Sequence, residues 1–365
     1  MIRSGTISEF VYEALPQRVL FGAGRRRSLG DEVRRLASER IFLITDTPDG
    51  AAIVDDLAAQ DGFELAVVWN ETVQHVPETL AERARDAVTQ ARADIVVTIG
   101  GGSSTGLAKA IALSHGVPIV AVPTTYAGSE QTAIYGITGG RHKQTGKNPI
   151  VQPRTVVYDP DLTLGLPPGV TGPSAFNALA HSVEALYAPG SNPITSVLAM
   201  EGVRAIHRAL PTVMAEPRDA GGRSDLLYGA YLSGIALGST AAAFHHKICH
   251  VLGGAFNLVH ADSHSVILPH AIAFNAPVLP AEMAMLAQAL HCDPDDPAGA
   301  LWDLAVASNV PTSLQQLGLA FDVLAEVAQL ATAEITTNPR AFTESDMLGL
   351  LERAYAGQRP SRTQS

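Results

Sequence analysis

The chain has 365 residues, 46% of them apolar, 17% charged and only 5% aromatic, with a net charge of −11. Such a composition excludes a disordered or low-complexity chain, and its length predicts two domains whose cores rest on Ala, Leu, Val and Ile. The acidic balance disfavours nucleic acid and anionic membranes as partners, so any anionic ligand must meet a local concentration of the few positive groups.

In chain order, the first ten residues lack the apolar core of a signal peptide. Cys249 and Cys292 are the only cysteines, too few for a disulfide framework, and a cytoplasmic location is expected. Residues 18–24 (RVLFGAG) carry a GxG that is either a bare turn or part of a ligand cleft. Apolar, β-branched runs at 41–45, 66–69, 95–99, 118–122 and 155–158 read as strands, and 26–37, 51–59, 77–93 and 105–115 as helices between them. Strands apolar on both faces, alternating with helices, predict an α/β domain with a parallel sheet over residues 1–162, with ligands at the carboxyl ends of the strands. Beyond Asp159 the β-branched runs stop. Helical patterns at 174–187, 194–210, 224–239, 245–256, 263–274, 281–290, 299–308, 323–332 and 345–356 predict an all-helical domain over 163–365, ending in a frayed polar tail after Gly357. The uncharged stretch 226–244 is diluted by Gly, Ser and Thr and reads as a buried helix rather than a membrane span.

Gly100, Gly101, Gly102, Ser103 and Ser104 follow the third strand and open a helix, where glycine lets a phosphate approach free backbone N–H groups. The next strand ends in Pro123, Thr124, Thr125, Tyr126, Ala127, Gly128, Ser129 and Glu130, a second polar, glycine-bearing loop. Two such loops side by side suit a pyrophosphate. Asp46 follows the first of these strands, either as an acceptor for a ribose diol, favouring NADH over NADPH, or as a turn cap. Tyr126, Ser129 and Tyr135 are expected to face the cleft, and Lys143 or Lys147 to reach the nucleotide. Six of the twelve histidines fall between His245 and His270, with His246 and His250 on one helical face, and Asn177 and His181 repeat that spacing earlier. One histidine on an apolar helix is an ordinary core residue. Six in so short a stretch point to metal, acid–base or anion chemistry.

The segments GGGSS, PTTYAGSE, NALAHSVEALYAP and HHKICHVLGGAFNLVHADSHSVILPH together resemble the iron-containing alcohol dehydrogenase superfamily, over nearly the whole chain from RVLFGAG to Asn338–Arg340. The resemblance implies its dehydroquinate synthase-like fold, a homodimer, and a divalent metal held by one Asp and three His. The histidines fall on His181, His246 and His260, with His250 nearby, whereas the Asp position is Asn177 and the Asp of the GGGSxxD loop is Gly106. Losing a carboxylate ~4 Å from a cation removes roughly 4 kcal/mol at an effective dielectric of about 20, on the order of a thousandfold in affinity. A metal-free site is therefore expected. The Asn, PTTYAGSE and HHK-CH further resemble the maleylacetate reductase branch, which implies NAD(P)H-dependent reduction of a C=C bond in a small dicarboxylate to 3-oxoadipate during aromatic catabolism.

On that resemblance, His246 and His250 are expected as the acid and oxyanion-stabilising pair, Lys247 and His260 as charge partners, and Asn177, His181, His260 and Tyr126 as substrate contacts. Glu184 lies on the His181 face as a possible orienting carboxylate. Asp46, Gly101, Gly102, Ser103, Thr124, Thr125, Ser129 and Lys143 are expected to bind the cofactor. Cys249 reads as a small buried residue. The rival readings are an iron- or zinc-dependent alcohol dehydrogenase, a metal-bearing lyase of the dehydroquinate synthase type, and a non-catalytic nucleotide-binding protein.

Overall fold

The structure is a computed structural model that describes residues 9–14, 16–139 and 142–361. Among the described residues eight strands occupy the first half: β1 (Arg18–Phe21), β2 (Arg40–Thr45), β3 (Glu64–Trp69), β4 (Ile95–Gly100), β5 (Ile119–Pro123), β6 (Ile134–Gly139), β7 (His142–Lys147) and β8 (Thr155–Tyr158). Six of them form a sheet in the order β1-β8-β5-β4-β2-β3, with every neighbouring pair parallel. Helices α1 (Leu29–Arg35), α2 (Pro48–Ala58), α3 (Glu78–Ala91) and α4 (Gly102–His115) supply the crossovers. Strands β4 and β5 are buried along their whole length, as apolar runs covered on both faces must be. Thr45 pairs with Ile99 and Gly100 with Pro123, so β2, β4 and β5 end side by side.

Two features were not anticipated, an edge strand and a hairpin. Residues 18–21 form the edge strand beside β8, and the GxG after it takes the turn alternative: Gly24 N–H and Arg26 N–H each donate at 3.0 Å to the buried Asp159 carboxylate. Strands β6 and β7 form an antiparallel hairpin outside the main sheet.

Among the described residues nine helices follow: α5 (Pro168–Ala185), α6 (Pro193–Ala215), α7 (Ala220–Ser239), α8 (Phe244–Phe256), α9 (His260–Asn275), α10 (Pro280–Leu290), α11 (Pro297–Ala307), α12 (Leu324–Glu334) and α13 (Glu344–Tyr355). The central one is α5, buried at every residue from Thr171 to Ala185 among α6, α7 and α9. The uncharged stretch 226–244 is broken, because α7 stops at Ser239 and α8 leaves at 98°. No single helix among the described residues is long and apolar enough to cross a membrane. The tail is tied down at least to Ser361, contrary to expectation: Arg359 bonds Asp296 and Asp303 at 2.7–2.8 Å, and Pro360 is buried.

Candidate active site

The sheet's carboxyl end presents the nucleotide loops. Gly101 caps α4 in an extended conformation and no side chain satisfies the helix start, so the first N–H groups around Gly102 and Ser103 are open to an anion. A Cβ on Gly101 would lie 3.1 Å from the Thr125 side chain, a tight contact, and one on Gly102 would just touch the Ala127 methyl at 3.4 Å, so the two loops pack closely here. Thr124 is buried and donates its N–H to the Gly100 carbonyl at 3.0 Å. Asp46 is exposed just beyond β2, where its carboxylate accepts from Ser104 Oγ at 3.4 Å and from the Thr72 hydroxyl. These residues fit a dinucleotide with its pyrophosphate at the α4 start.

The second loop is anchored from below. Lys109 on α4 is buried, and its ammonium donates to the carbonyls of Ser129, Thr132 and Ile134 at 2.6–2.8 Å and to Thr132 Oγ1 at 3.0 Å. Burial pushes its pKa down to about 7, opposed by the nearby Glu130, whose carboxyl is itself pushed up by burial. Ser129 is thus half-buried, with its carbonyl taken by Lys109.

Three placements correct the sequence reading. Tyr126 does not face the cleft: its side chain is 0% exposed in the main core, and its hydroxyl accepts from Arg223 at 3.1 Å. Lys147 donates to the Gly238 carbonyl at 3.2 Å, and Tyr135 packs across the β6–β7 hairpin against Gly146. Lys143 stands on β7, its side chain outside the described residues.

Histidines from three helices meet where α5 passes α8 and α9. His181 stacks on His246 with centroids 4.9 Å apart, and His250 stacks on His260 at 5.6 Å. Glu184 does not orient His181. Its carboxylate crosses to the start of α8, where it accepts from the N–H groups of Ala243 (2.9 Å) and His245 (2.7 Å) and from His246 Nδ1 (2.5 Å). The exchange makes sense twice, since a carboxylate offsets the partial positive charge of a helix start and fixes the imidazole tautomer. His246 Nε2 is then the ring atom left over, and it is buried without a partner, as are His181 Nδ1 and Asn177 Oδ1.

Two of the six clustered histidines that were given no individual role, His245 and His264, complete the cluster. His245 Nε2 lies 2.8 Å from His264 Nδ1, and His264 Nε2 lies 3.1 Å from His260 Nε2, so a chain of hydrogen bonds runs from the core to the partly exposed His260. Cys249 is fully buried, 3.7 Å from His245 Nε2, and burial pushes its thiol up. His245, Cys249 and His264 are the one group among the described residues with metal-like spacing, and the hydrogen bond between the two rings accounts for it. Burial, reinforced by neighbouring imidazoles, pushes His181, His245 and His264 well below the ordinary histidine range. Lys247, about 100° around α8 from His246, is half-buried, and His250 is exposed.

The family's metal positions are weakened here, because Asn177 contributes no charge and His260 Nε2 is engaged by His264. At Gly128, φ is +74° and a Cβ would stand 3.2 Å from Gly234 Cα and 3.3 Å from His181 Nδ1. Only glycine lets the nucleotide loop close on the histidine cluster at this point.

The family model for iron-containing alcohol dehydrogenase matches residues 16–160, and its C-terminal counterpart, the Fe-containing alcohol dehydrogenase family, matches residues 171–355. The chain belongs to the iron-containing alcohol dehydrogenase family. Within this family it is 46% identical over 355 residues to maleylacetate reductase of Burkholderia cepacia, covering 97% of this chain and 100% of that protein. It is 44% identical over 351 residues to the maleylacetate reductase of Pseudomonas sp. strain P51, covering 96% and 99%. The crystal structure of maleylacetate reductase from Agrobacterium tumefaciens superposes with a TM-score of 0.91 at 42% identity, covering 97% of this chain and 100% of that one. The family fold, a parallel-sheet α/β half joined to a helical half, is the architecture described above, and membership makes the protein an oxidoreductase of nicotinamide chemistry.

Proposed function

We propose that the protein is a maleylacetate reductase that uses NADH in preference to NADPH and needs no metal. The observation that carries this reading is the donor set: Asn177 in place of a carboxylate, with His246 held instead by Glu184. Bound reduced nicotinamide supplies a hydride to the alkene carbon β to the ketone, and the protein must then stabilise an enolate oxygen and protonate the α carbon. His246 acts as an imidazolium, giving its Nε2 proton to the substrate and ending neutral with Nδ1–H still bonded to Glu184. His250 and His260 line the exposed side of the cluster as the second oxyanion contact and a charge partner, with Lys247 beside them. Asn177 and the neutral His181 contact the substrate through hydrogen bonds rather than charge. The substrate's two carboxylates suit a site that gathers imidazoles and a lysine in a protein of net negative charge.

The three unpartnered buried atoms Asn177 Oδ1, His181 Nδ1 and His246 Nε2 favour a second reading, a metal-dependent alcohol dehydrogenase. One purified sample decides between them. The expected result is NADH oxidation with maleylacetate, undiminished by chelation and absent with alkanals; a stoichiometric metal required for turnover would overturn the metal-free assignment.

Asp46 carries a separate expectation. Replacing it with Gly or Ser removes the charge that repels a 2′-phosphate and lowers the NADH-to-NADPH ratio of kcat/KM by about 10-fold, the equivalent of one weak charge–charge contact near the surface. An unchanged ratio would make Asp46 a cap for Ser104 and Thr72 only.

A further inference from the structure

The helical half does not build the histidine cluster alone. His75, in the segment between β3 and α3, brings its ring to 6.4 Å from His260, edge to face at 76°. Its backbone is unusual: His75 has φ +65° and Val76 has φ +46°, two consecutive non-glycine residues in the left-handed region, the second β-branched. Side chains of this kind take that conformation only where the surroundings hold it, and such outliers cluster at functional sites. The surroundings are visible. Thr138 on β6 donates its hydroxyl to the His75 carbonyl at 2.8 Å and its N–H to the Val76 carbonyl at 3.0 Å. Val76 is 4% exposed and is pressed against α4 at Gly106, where a Cβ would stand 2.8 Å from Val76 Cγ2. Gly106 is the position at which the family resemblance leads one to expect Asp, and a side chain there is incompatible with this turn.

We infer that His75 is a substrate-binding residue, contributed by the nucleotide half, that donates a hydrogen bond to a carboxylate of the substrate beside His260 and His250. The inference rests on the dicarboxylate reading above and sharpens it, because it assigns one carboxylate to a residue outside the helical half. The strained turn fixes where the ring points, and Gly106 makes the turn possible. His75 thereby couples carboxylate binding to the nucleotide half that positions the hydride donor.

Steady-state kinetics on the full chain test this. His75→Ala is expected to raise the KM for maleylacetate about 10–100-fold, the range for a lost hydrogen bond to a charged group, with kcat and the KM for NADH little changed. His75→Gln, which retains an N–H donor, is expected to recover part of the loss. Gly106→Ala displaces Val76 and is expected to raise the same KM in the wild-type background but to add nothing to His75→Ala. An unchanged KM for maleylacetate in His75→Ala, with wild-type turnover intact, overturns this inference and leaves the proposed function standing. A wild-type enzyme inactive on maleylacetate removes both.

Discussion

Replacing Glu184 with Gln lowers kcat for maleylacetate by about 10²–10⁴-fold, the range for losing a positioned acid–base group or its tautomer control, and leaves the KM for NADH unchanged. The carboxylate accepts from four donors at once: the N–H groups of Ala243 and His245, His246 Nδ1 and, at 3.4 Å, the Tyr187 hydroxyl. A Gln side chain offers one acceptor oxygen and turns an NH₂ group toward the remaining donors. The imidazole relieves that clash by taking the neutral tautomer protonated on Nε2 and accepting from Gln at Nδ1, and it loses the carboxylate that stabilises its doubly protonated, proton-delivering form. Shape and burial are conserved, so the effect is chemical. Two measurements separate it from a packing defect: the thermal unfolding midpoint, expected to move little, and the double variant with His246→Ala, in which the Gln is expected to cost nothing further. A Glu184→Gln enzyme with wild-type kcat would remove His246 from the proton-delivering role.

The same residue shows where sequence patterning reaches its limit. Spacing of three along one helix put Glu184 on the His181 face, but the carboxylate serves α8, 61 and 62 residues away, and no periodicity encodes that crossing. What could be read was what depends on local chemistry. The central strands declared themselves because apolar runs covered on both faces have few other homes, and the nucleotide loops because glycine after a strand has a backbone reason to be there. The hairpin of β6 and β7 was silent: Ile134–Gly139 is interrupted by two glycines and His142–Lys147 is polar, so neither shows an apolar alternation to mark a strand. Tyr126 misled because a tyrosine in a polar loop suits a ligand as well as a core, and its burial is decided by Arg223, 97 residues on. His75 was overlooked for the opposite reason, being one histidine alone in a loop. The available signal was indirect: Gly106 standing where the family pattern has Asp meant that some other group needed the space.

Lys109→Met is expected to have the largest effect on stability, costing about 3–5 kcal/mol at neutral pH, the range for removing one partner from a buried charged network, with an unfolding midpoint lower by roughly 10 °C. The variant leaves the carbonyls of Ser129, Thr132 and Ile134 without their donor, in a region where Glu130 and the hydroxyl of Tyr158, 2.7 Å from it, are also buried. The pH dependence has a definite sign. Burial holds Lys109 at about 7 in the folded protein, below the value near 10.4 of an unfolded lysine. Between these limits the unfolded chain binds more protons, so this residue's contribution to stability rises with pH above about 7 and is smallest below it. The Met variant lacks that rise, and without the lysine Glu130 is pushed still higher, which adds to the difference in the same direction. Denaturant unfolding of both proteins from pH 6 to about 9.5, inside the window set by those two pKa values, is therefore expected to show a gap that widens as pH increases. A gap that stays constant instead would mean that Lys109 stays charged throughout, held by its four acceptors against the cost of burial. The nucleotide loop reports the same event independently: with Ser129 and Thr132 released, the KM for NADH is expected to rise, whereas an unchanged value would show that the loop keeps its shape without its anchor.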